Sequence, residues 1–585
     1  MVNDTHDGGR ASAQGSQPSY ETRLDKDLRA PMRDGIELAV DAYRPDAADK
    51  FPAVLSITMY SKEVENVQYL GPKIGRFNLE YSMVEAGDSE FWARHGYAHV
   101  IADVRGTGNS QGAYQGILSE QEAQDSYDLV EWIAAQDWCD GNVGMVGLSY
   151  LAICQYFTAA QRPPHLKAIF PNDGPADMYR DTFYHGGIPS AIPWFLQRAI
   201  AARDTVSVAK ATYGEDELRK RVDKLIADEG TSFGKSPLVI SALRVPPETR
   251  PIIFDALVHP EDGPYWRERS PSEVMSKIEV PTYLGAEMHG QSTPVYLGGT
   301  SWGWERITAP KKLAFRPHTT GGNHRPFYQF HDELLRWNDH WLKGIDTGLM
   351  DEPAVKVWVR GREEYRYAND WPIESTDWTR AYLRGDGRLT LGDAPEKGED
   401  PAHLDYQPML PAIGGQPLGP PPQHLRYLTD PFPQDVEVVG PMVLYLQATL
   451  DQVDGDFIVS VRDVGPDGSE FALSRGWLRA SHREVDPDRS APWKPFHPHT
   501  DPISVVPNTR YEFAIELRPM ANLFAQGHRL KLEIWPCDYP GADPANYDWT
   551  QFWGFIHHIP YGKAVSYEVH HDADAPSYLL LPVMS

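Results

Sequence analysis

Ser149 is the residue of this chain best placed by its neighbours to do chemistry. It sits in Val143-Gly144-Met145-Val146-Gly147-Leu148-Ser149-Tyr150-Leu151-Ala152, a run that reads as a short apolar strand, a sharp turn and the start of a helix. Such a corner lifts one hydroxyl out of the backbone, where a nearby imidazole can take its proton. Gly147 tolerates backbone angles that other residues resist. Leu151 stands where a G-x-S-x-G pattern would place its second glycine. The motif is therefore incomplete, and its surroundings must carry the argument.

The elements around the serine are those of a parallel sheet with crossover helices. Upstream, Gly96 to Ser110 reads as a strand ending in a glycine-rich polar loop. Asp125 to Gln136 follows, with Leu129, Trp132, Ile133 and Ala135 recurring at helical spacing, so one face is buried. Trp138 to Asn142 then turns into the strand that bears the serine. The order strand, loop, helix, strand, serine, helix is what parallel pairing requires.

Before this unit, Pro31 to Tyr43 reads as a hairpin and Pro52 to Tyr60 as a buried strand. From about Pro175 to Ser270 the alternation is interrupted by helical segments, such as Asp216 to Glu229, and by aromatic loops. It resumes at Val280 to Gly285 and at Leu313 to Arg316, and a helix from Phe330 to Leu342 closes the unit. After about Asp351 short alternating strands dominate, as in Leu444 to Leu450 and Tyr511 to Leu517. They are punctuated by turns such as Gly465-Pro466-Asp467-Gly468 and a Pro/Gly-rich linker from Pro408 to Pro422, the pattern of a β-sandwich.

Composition narrows the functional classes. With 585 residues the chain exceeds what one core usually serves, so two or three domains are expected. The formal charge of −27 arises without a long block of one sign, which implies an acidic surface and argues against nucleic acid as a partner. Cys139, Cys154 and Cys537 match neither a zinc motif nor a disulfide framework, and Cys154, one turn past the serine, is expected to be buried and structural. Residues 1–20 are polar and read as a disordered tail. No apolar run is long enough for a membrane span, so a soluble cytoplasmic protein is expected.

The segments ADVRGTGNSQG, EWIAAQDWCDGNVGMVGLSY and RWNDHWLKG resemble the cocaine esterase and X-Pro dipeptidyl-peptidase family (CocE/NonD-like) of serine hydrolases, over roughly residues 25–583. The resemblance implies an α/β-hydrolase domain (21–174 and 271–350) with an inserted helical cap (175–270). It also implies a C-terminal all-β jelly-roll sandwich (351–585) that packs on the catalytic domain. It further implies a Ser-Asp-His triad with Ser149 as the nucleophile and no metal or other cofactor.

The family's acid lies in a Gly-Trp-Tyr-Asp-like turn, and the corresponding turn here is Gly285-Ala286-Glu287-Met288-His289-Gly290. It holds no aspartate, so the resemblance assigns the acid's role to Glu287. The family's histidine belongs to a Gly-Pro-Trp-x-His-like run, where this chain has Arg316-Pro317-His318-Thr319-Thr320-Gly321-Gly322-Asn323-His324. Threonine occupies the expected place, leaving His318, slightly preferred, or His324 as the base, with His289 a weaker third.

The backbone N–H of Tyr150 is one expected oxyanion donor. The family's second donor, a tyrosine hydroxyl after an early strand, corresponds to Tyr60. Aromatic residues of the cap, including Tyr179, Phe183, Tyr184 and Trp194, offer an apolar lining for a bulky acyl group. Asp173, Asp177 and Asp181 are the carboxylates that could meet a free α-amine.

The expected activity is hydrolysis of an ester or amide of a small organic molecule through an acyl-enzyme. The alternatives are acyl transfer from the same intermediate and a catalytically degenerate binding protein. Homo-oligomerisation is left open.

Overall fold

Runs of apolar and β-branched residues form the central strands, buried on both faces as parallel strands must be. Val54, Leu55, Val100, Ile101, Val146 and Ile169 are fully buried. The computed structural model describes residues 15–65, 85–228, 236–289, 293–317, 330–408, 422–538 and 558–585. The first sheet contains β1 (Thr22–Pro31), β2 (Glu37–Pro45), β3 (Phe51–Thr58), β4 (Ala98–Asp103), β5 (Cys139–Leu148) and β6 (Leu166–Asn172). Tyr184–His185 (β7) and Ile188–Pro189 (β8) form a small separate hairpin. The first sheet continues with β9 (Thr282–Met288), β10 (Lys311–Pro317), β11 (Val355–Val359) and β12 (Glu364–Ala368).

Its order is β1-β2-β4-β3-β5-β6-β9-β10-β11-β12. From β4 to β11 neighbours run parallel, with antiparallel strands at both edges. β11, which begins after the expected boundary at residue 350, pairs with β10 through Leu313 opposite Val355 and so extends the first sheet. Strand-like alternation alone does not reveal which sheet a strand joins.

Helix α1 (Glu120–Ala134) crosses between β4 and β5. Ser119 and Glu122 form a capping box at its start, several residues before the expected Asp125. Helix α2 (Tyr150–Ala160) begins directly after Ser149. Between β6 and β9 lie a π-helical turn, Met178–Phe183, and several helices, the longest being α3 (Val208–Ala227). It starts before the expected Asp216 because Ser207 caps it, and Gly214 at φ 70° breaks it locally. Helices α4 (Thr293–Arg306) and α5 (His331–Lys343) flank β10 in sequence.

The remaining strands form an antiparallel all-β unit. They are β13 (Thr376–Leu383), β14 (Leu389–Leu391), β15 (Ala402–Tyr406), β16 (Leu425–Leu428), β17 (Val436–Leu450) and β18 (Asp456–Val464). After them come β19 (Glu470–Arg479), β20 (Arg510–Phe524), β21 (Arg529–Trp535), β22 (Val565–Val569) and β23 (Tyr578–Met584). Its own core includes Leu444, Val459, Phe513, Ile515 and Leu532. The chain is thus an α/β-hydrolase fold with a helical insertion and a C-terminal all-β domain.

A buried ion cluster locks the carboxyl edge of the first sheet. Glu333 of α5 accepts from Arg316 of β10 (2.8 Å) and Lys356 of β11 (2.7 Å). Arg316 also donates to the Asn172 side chain at the end of β6. Burial alone would raise the Glu333 pKa, but the two cations hold it down at about 2 against an ordinary 4.5. Glu333→Gln strands both cations and is expected to cost about 3 kcal/mol in a denaturant melt. The depressed pKa gives the sign: Glu333's contribution is complete above pH 4.5 and is lost as the pH falls towards 2, so the variant loses less stability over that window.

Candidate active site

Ser149 follows the last residue of β5 and has φ 54° and ψ −118°, in a region that side-chain-bearing residues rarely adopt. The corner is over-determined by its neighbours. Gly147, at φ 151°, faces Leu151 so closely that an added Cβ would lie 2.4 Å from Leu151 Cβ. Ser149 N–H donates to Asn172 O at 3.1 Å. Buried Gln155 of α2 donates to Gly147 O at 3.3 Å and accepts from Phe170 N–H at 2.9 Å, binding helix to strands. Leu151 thus occupies the second glycine position of the motif without closing the turn, because the close approach is made on Gly147.

Tyr150 supplies the first peptide N–H of α2, one of the helix-terminal donors that have no intrahelical acceptor. Its side chain turns inward and donates to Glu122 of α1. Burial raises the Glu122 carboxyl to about 7. Tyr60, two residues past β3, is buried with its ring edge-on to Tyr150, centroids 6.3 Å apart. The Tyr150 N–H thus lies at the elbow itself, and the Tyr60 ring packs on the Tyr150 side chain beneath it.

Strand register brings the expected acid turn to the same edge. Leu148 lies opposite Asn172, Asn172 opposite Gly285, and Glu287 opposite Arg316. Glu287 is half-buried, and its backbone N–H donates to Asp173 Oδ1 at 2.9 Å. Asp173, at φ 51°, also accepts from Asn172 Nδ2 at 2.9 Å. A second carboxylate thus stands between the elbow strand's neighbour and the acid turn, a placement that sequence spacing did not single out.

His289, the third candidate for the base, is engaged by the C-terminal domain. At φ 61° it turns away from the sheet, and its Nδ1 and Nε2 lie 2.9 Å from the carbonyl oxygens of Leu473 and Ala521 in the C-terminal domain. His318 and His324 both lie outside the described residues, as β10 ends at Pro317.

Three of the four expected pocket aromatics pack as core of the insertion instead. Tyr179 and Tyr184 stack at 4.9 Å, and Tyr179, Phe183 and Tyr184 all contact buried Trp266. The two phenols donate to Pro260 O and Ala256 O. Aromatic spacing cannot distinguish a stacked core from a lining, and here stacking with satisfied hydroxyls selects the core. Trp194 is half-buried at the edge of the main cluster. Tyr184 also borders a cavity of about 310 Å³ with Glu261, Arg479 and His482; Ser149 and Tyr60 do not line it.

Two of the three acidic candidates are paired with arginines. Asp177 pairs with Arg180 (2.8 Å) and Asp181 with Arg518 (3.3 Å). All three cysteines are buried free thiols, and burial drives the Cys154 pKa far up, which makes that thiol inert.

Tyr296 is the residue that sequence reasoning missed. From α4 its phenol reaches Ser149 Oγ at 2.8 Å. Only the glycines of Leu297-Gly298-Gly299-Thr300-Ser301-Trp302-Gly303, which let this helix approach closely, leave a trace in the sequence.

A serine held at positive φ at the carboxyl end of the middle strand of such a sheet defines an α/β-hydrolase nucleophile elbow. The family description X-Pro dipeptidyl-peptidase (S15 family) matches residues 34–321. The X-Pro dipeptidyl-peptidase C-terminal non-catalytic domain matches 347–558. Cocaine esterase of Rhodococcus sp. (strain MB1 Bresler) is 27% identical over 608 aligned positions, covering 95% of this chain and 98% of its own. A CocE/NonD family hydrolase from Staphylococcus aureus superposes with TM-score 0.75 at 24% identity, covering 96% of this chain and 94% of that one. An α-amino acid ester hydrolase superposes with TM-score 0.72 at 19% identity over the full length of both chains. The chain belongs to the cocaine esterase and X-Pro dipeptidyl-peptidase family of serine hydrolases.

The elbow's dependence on Gly147 is testable. Gly147→Ala must move Leu151 or the backbone, and is expected to cost about 2 kcal/mol or more in a thermal or denaturant melt. It is also expected to slow reaction of Ser149 with a fluorophosphonate, whereas Gly344→Ala, at a helix end with open space around it, leaves that reaction unchanged.

Proposed function

We propose that this chain hydrolyses esters of small carboxylic acids, and amides more slowly, through an acyl-enzyme on Ser149. The observation that carries the reading is the positive-φ elbow, which presents Ser149 Oγ at the carboxyl edge of the sheet at the start of α2. Ser149 Oγ attacks the carbonyl carbon, and its proton passes to a histidine of the segment after β10, His318 or His324. The Tyr60 hydroxyl and the Tyr150 N–H hold the developing oxyanion. Glu287, with Asp173 beside it, supplies the negative charge that orients and stabilises the imidazolium. The alcohol or amine leaves, and water then resolves the acyl-enzyme.

The substrate class follows from what the site offers. Asp177 and Asp181 are each matched by an arginine, so among the described residues they do not form a paired acceptor for a free α-amine. That favours acyl groups without one, as in a simple carboxylic ester, over X-Pro peptides. The relationship to cocaine esterase over nearly the whole of both chains supports the same choice.

Hydrolysis of p-nitrophenyl esters of increasing acyl length tests the reading. Ser149→Ala is expected to lower kcat/KM about ten-thousandfold, and one of His318→Ala and His324→Ala to do nearly as much. Rates that are the same for wild type and Ser149→Ala would refute it.

A further inference from the structure

Resting on the acyl-enzyme reading above, we propose that Tyr296 is a catalytic residue that assists deacylation, donating its phenolic O–H to Ser149 Oγ as that oxygen is expelled. The contact is direct: Tyr296 Oη lies 2.8 Å from Ser149 Oγ, within hydrogen-bonding range and on the atom that reacts. Serine can donate its own proton elsewhere, so the phenol's donation leaves the nucleophile's O–H available to a base.

The placement of this phenol is enforced from three sides. Gly298 of α4 sits between Asp181 and Arg518, where a Cβ would fall 2.2 Å from Asp181 Oδ1 and 2.6 Å from Arg518 Nη1. Gly299 rests on the backbone of 174–176, where a Cβ would lie 2.3 Å from Gly174 O. Gly303 packs on Leu284 of β9 at a corresponding 2.7 Å. Asp181 itself is fixed by the N–H groups of Ala176 (3.0 Å) and Asp177 (2.9 Å). Helix α4 is therefore seated against the turn after β6, the strand β9 and an arginine of the C-terminal domain. Its first full turn carries Tyr296 to the serine.

The two half-reactions use this donor differently. Before acylation Oγ is a hydroxyl oxygen, already a good acceptor, so the phenol bond exists in the ground state and strengthens only modestly in the transition state. In the acyl-enzyme Oγ is the alkyl oxygen of an ester, a poor acceptor. As water attacks, the bond from the acyl carbon to Oγ breaks, its electron pair moves to Oγ, a proton from the attacking water ends on Oγ, and the carboxylic acid departs. The phenol bond therefore strengthens from ground state to transition state mainly in deacylation, and only that difference accelerates a step.

Rapid mixing of a p-nitrophenyl ester with wild type and Tyr296→Phe separates the steps. The variant is isosteric apart from the hydroxyl. The first turnover of p-nitrophenol release is expected to change little, while steady-state turnover falls about tenfold to a hundredfold, the worth of a hydrogen bond to a charged oxygen. Acyl-Ser149 is expected to accumulate in the intact mass of the variant. Wild type that never acylates Ser149 would overturn the acyl-enzyme reading and this role together. Wild type that turns over through Ser149, with Tyr296→Phe slowed equally in both phases or in neither, would overturn this role alone.

Discussion

The backbone of Ser149 is the constraint on which the rest of the site depends. A non-glycine residue at φ 54° and ψ −118° costs about 1–3 kcal/mol and persists only where its surroundings dictate it. Here they do so from four directions. Gly147 removes the Cβ that would strike Leu151, Asn172 O accepts the serine N–H, Gln155 ties α2 to both strands, and Tyr150 reaches down to Glu122. The strain is balanced by burial of α2 against β5 and β6. The result is a hydroxyl raised above the sheet at the edge where neighbouring strands deliver Asp173 and Glu287.

The C-terminal domain contributes to that edge as well as to the chain's overall stability. His289 leaves the acid turn and bridges to the carbonyls of Leu473 and Ala521. Arg518 of β20 faces Asp181 across Gly298 of the helix that carries Tyr296. Two contacts from the β domain thus reach His289, two residues past Glu287, and the helix that carries Tyr296. A domain that only covered the surface would not need to reach either one.

Much of this fold was legible in the sequence, because its signals are local. The strand-turn-helix at Ser149, the helical period after Asp125 and the switch to alternating strands past Asp351 all survive in the structure to within a few residues. Boundaries drifted where a cap decided them, as at Ser119 and Ser207. The membership of β11 and β12 in the first sheet was not legible, since pairing between distant segments leaves no period. The site was read unevenly for the same reason. Ser149, Tyr60 and Tyr150 follow strands directly and inherit their positions. Tyr296 arrives through the packing of a glycine-rich helix, and the stacking of Tyr179 on Tyr184 depends on Trp266, 82 residues beyond the second of them in sequence.

The central claim is that the elbow holds an activated serine. Incubating the full chain with a fluorophosphonate and mapping the adduct by peptide mass spectrometry tests it most directly. An adduct confined to the peptide bearing Ser149, and absent from Ser149→Ala, is the result this account predicts. A chain that stays unlabelled while folded, or one labelled equally with and without Ser149, would contradict it.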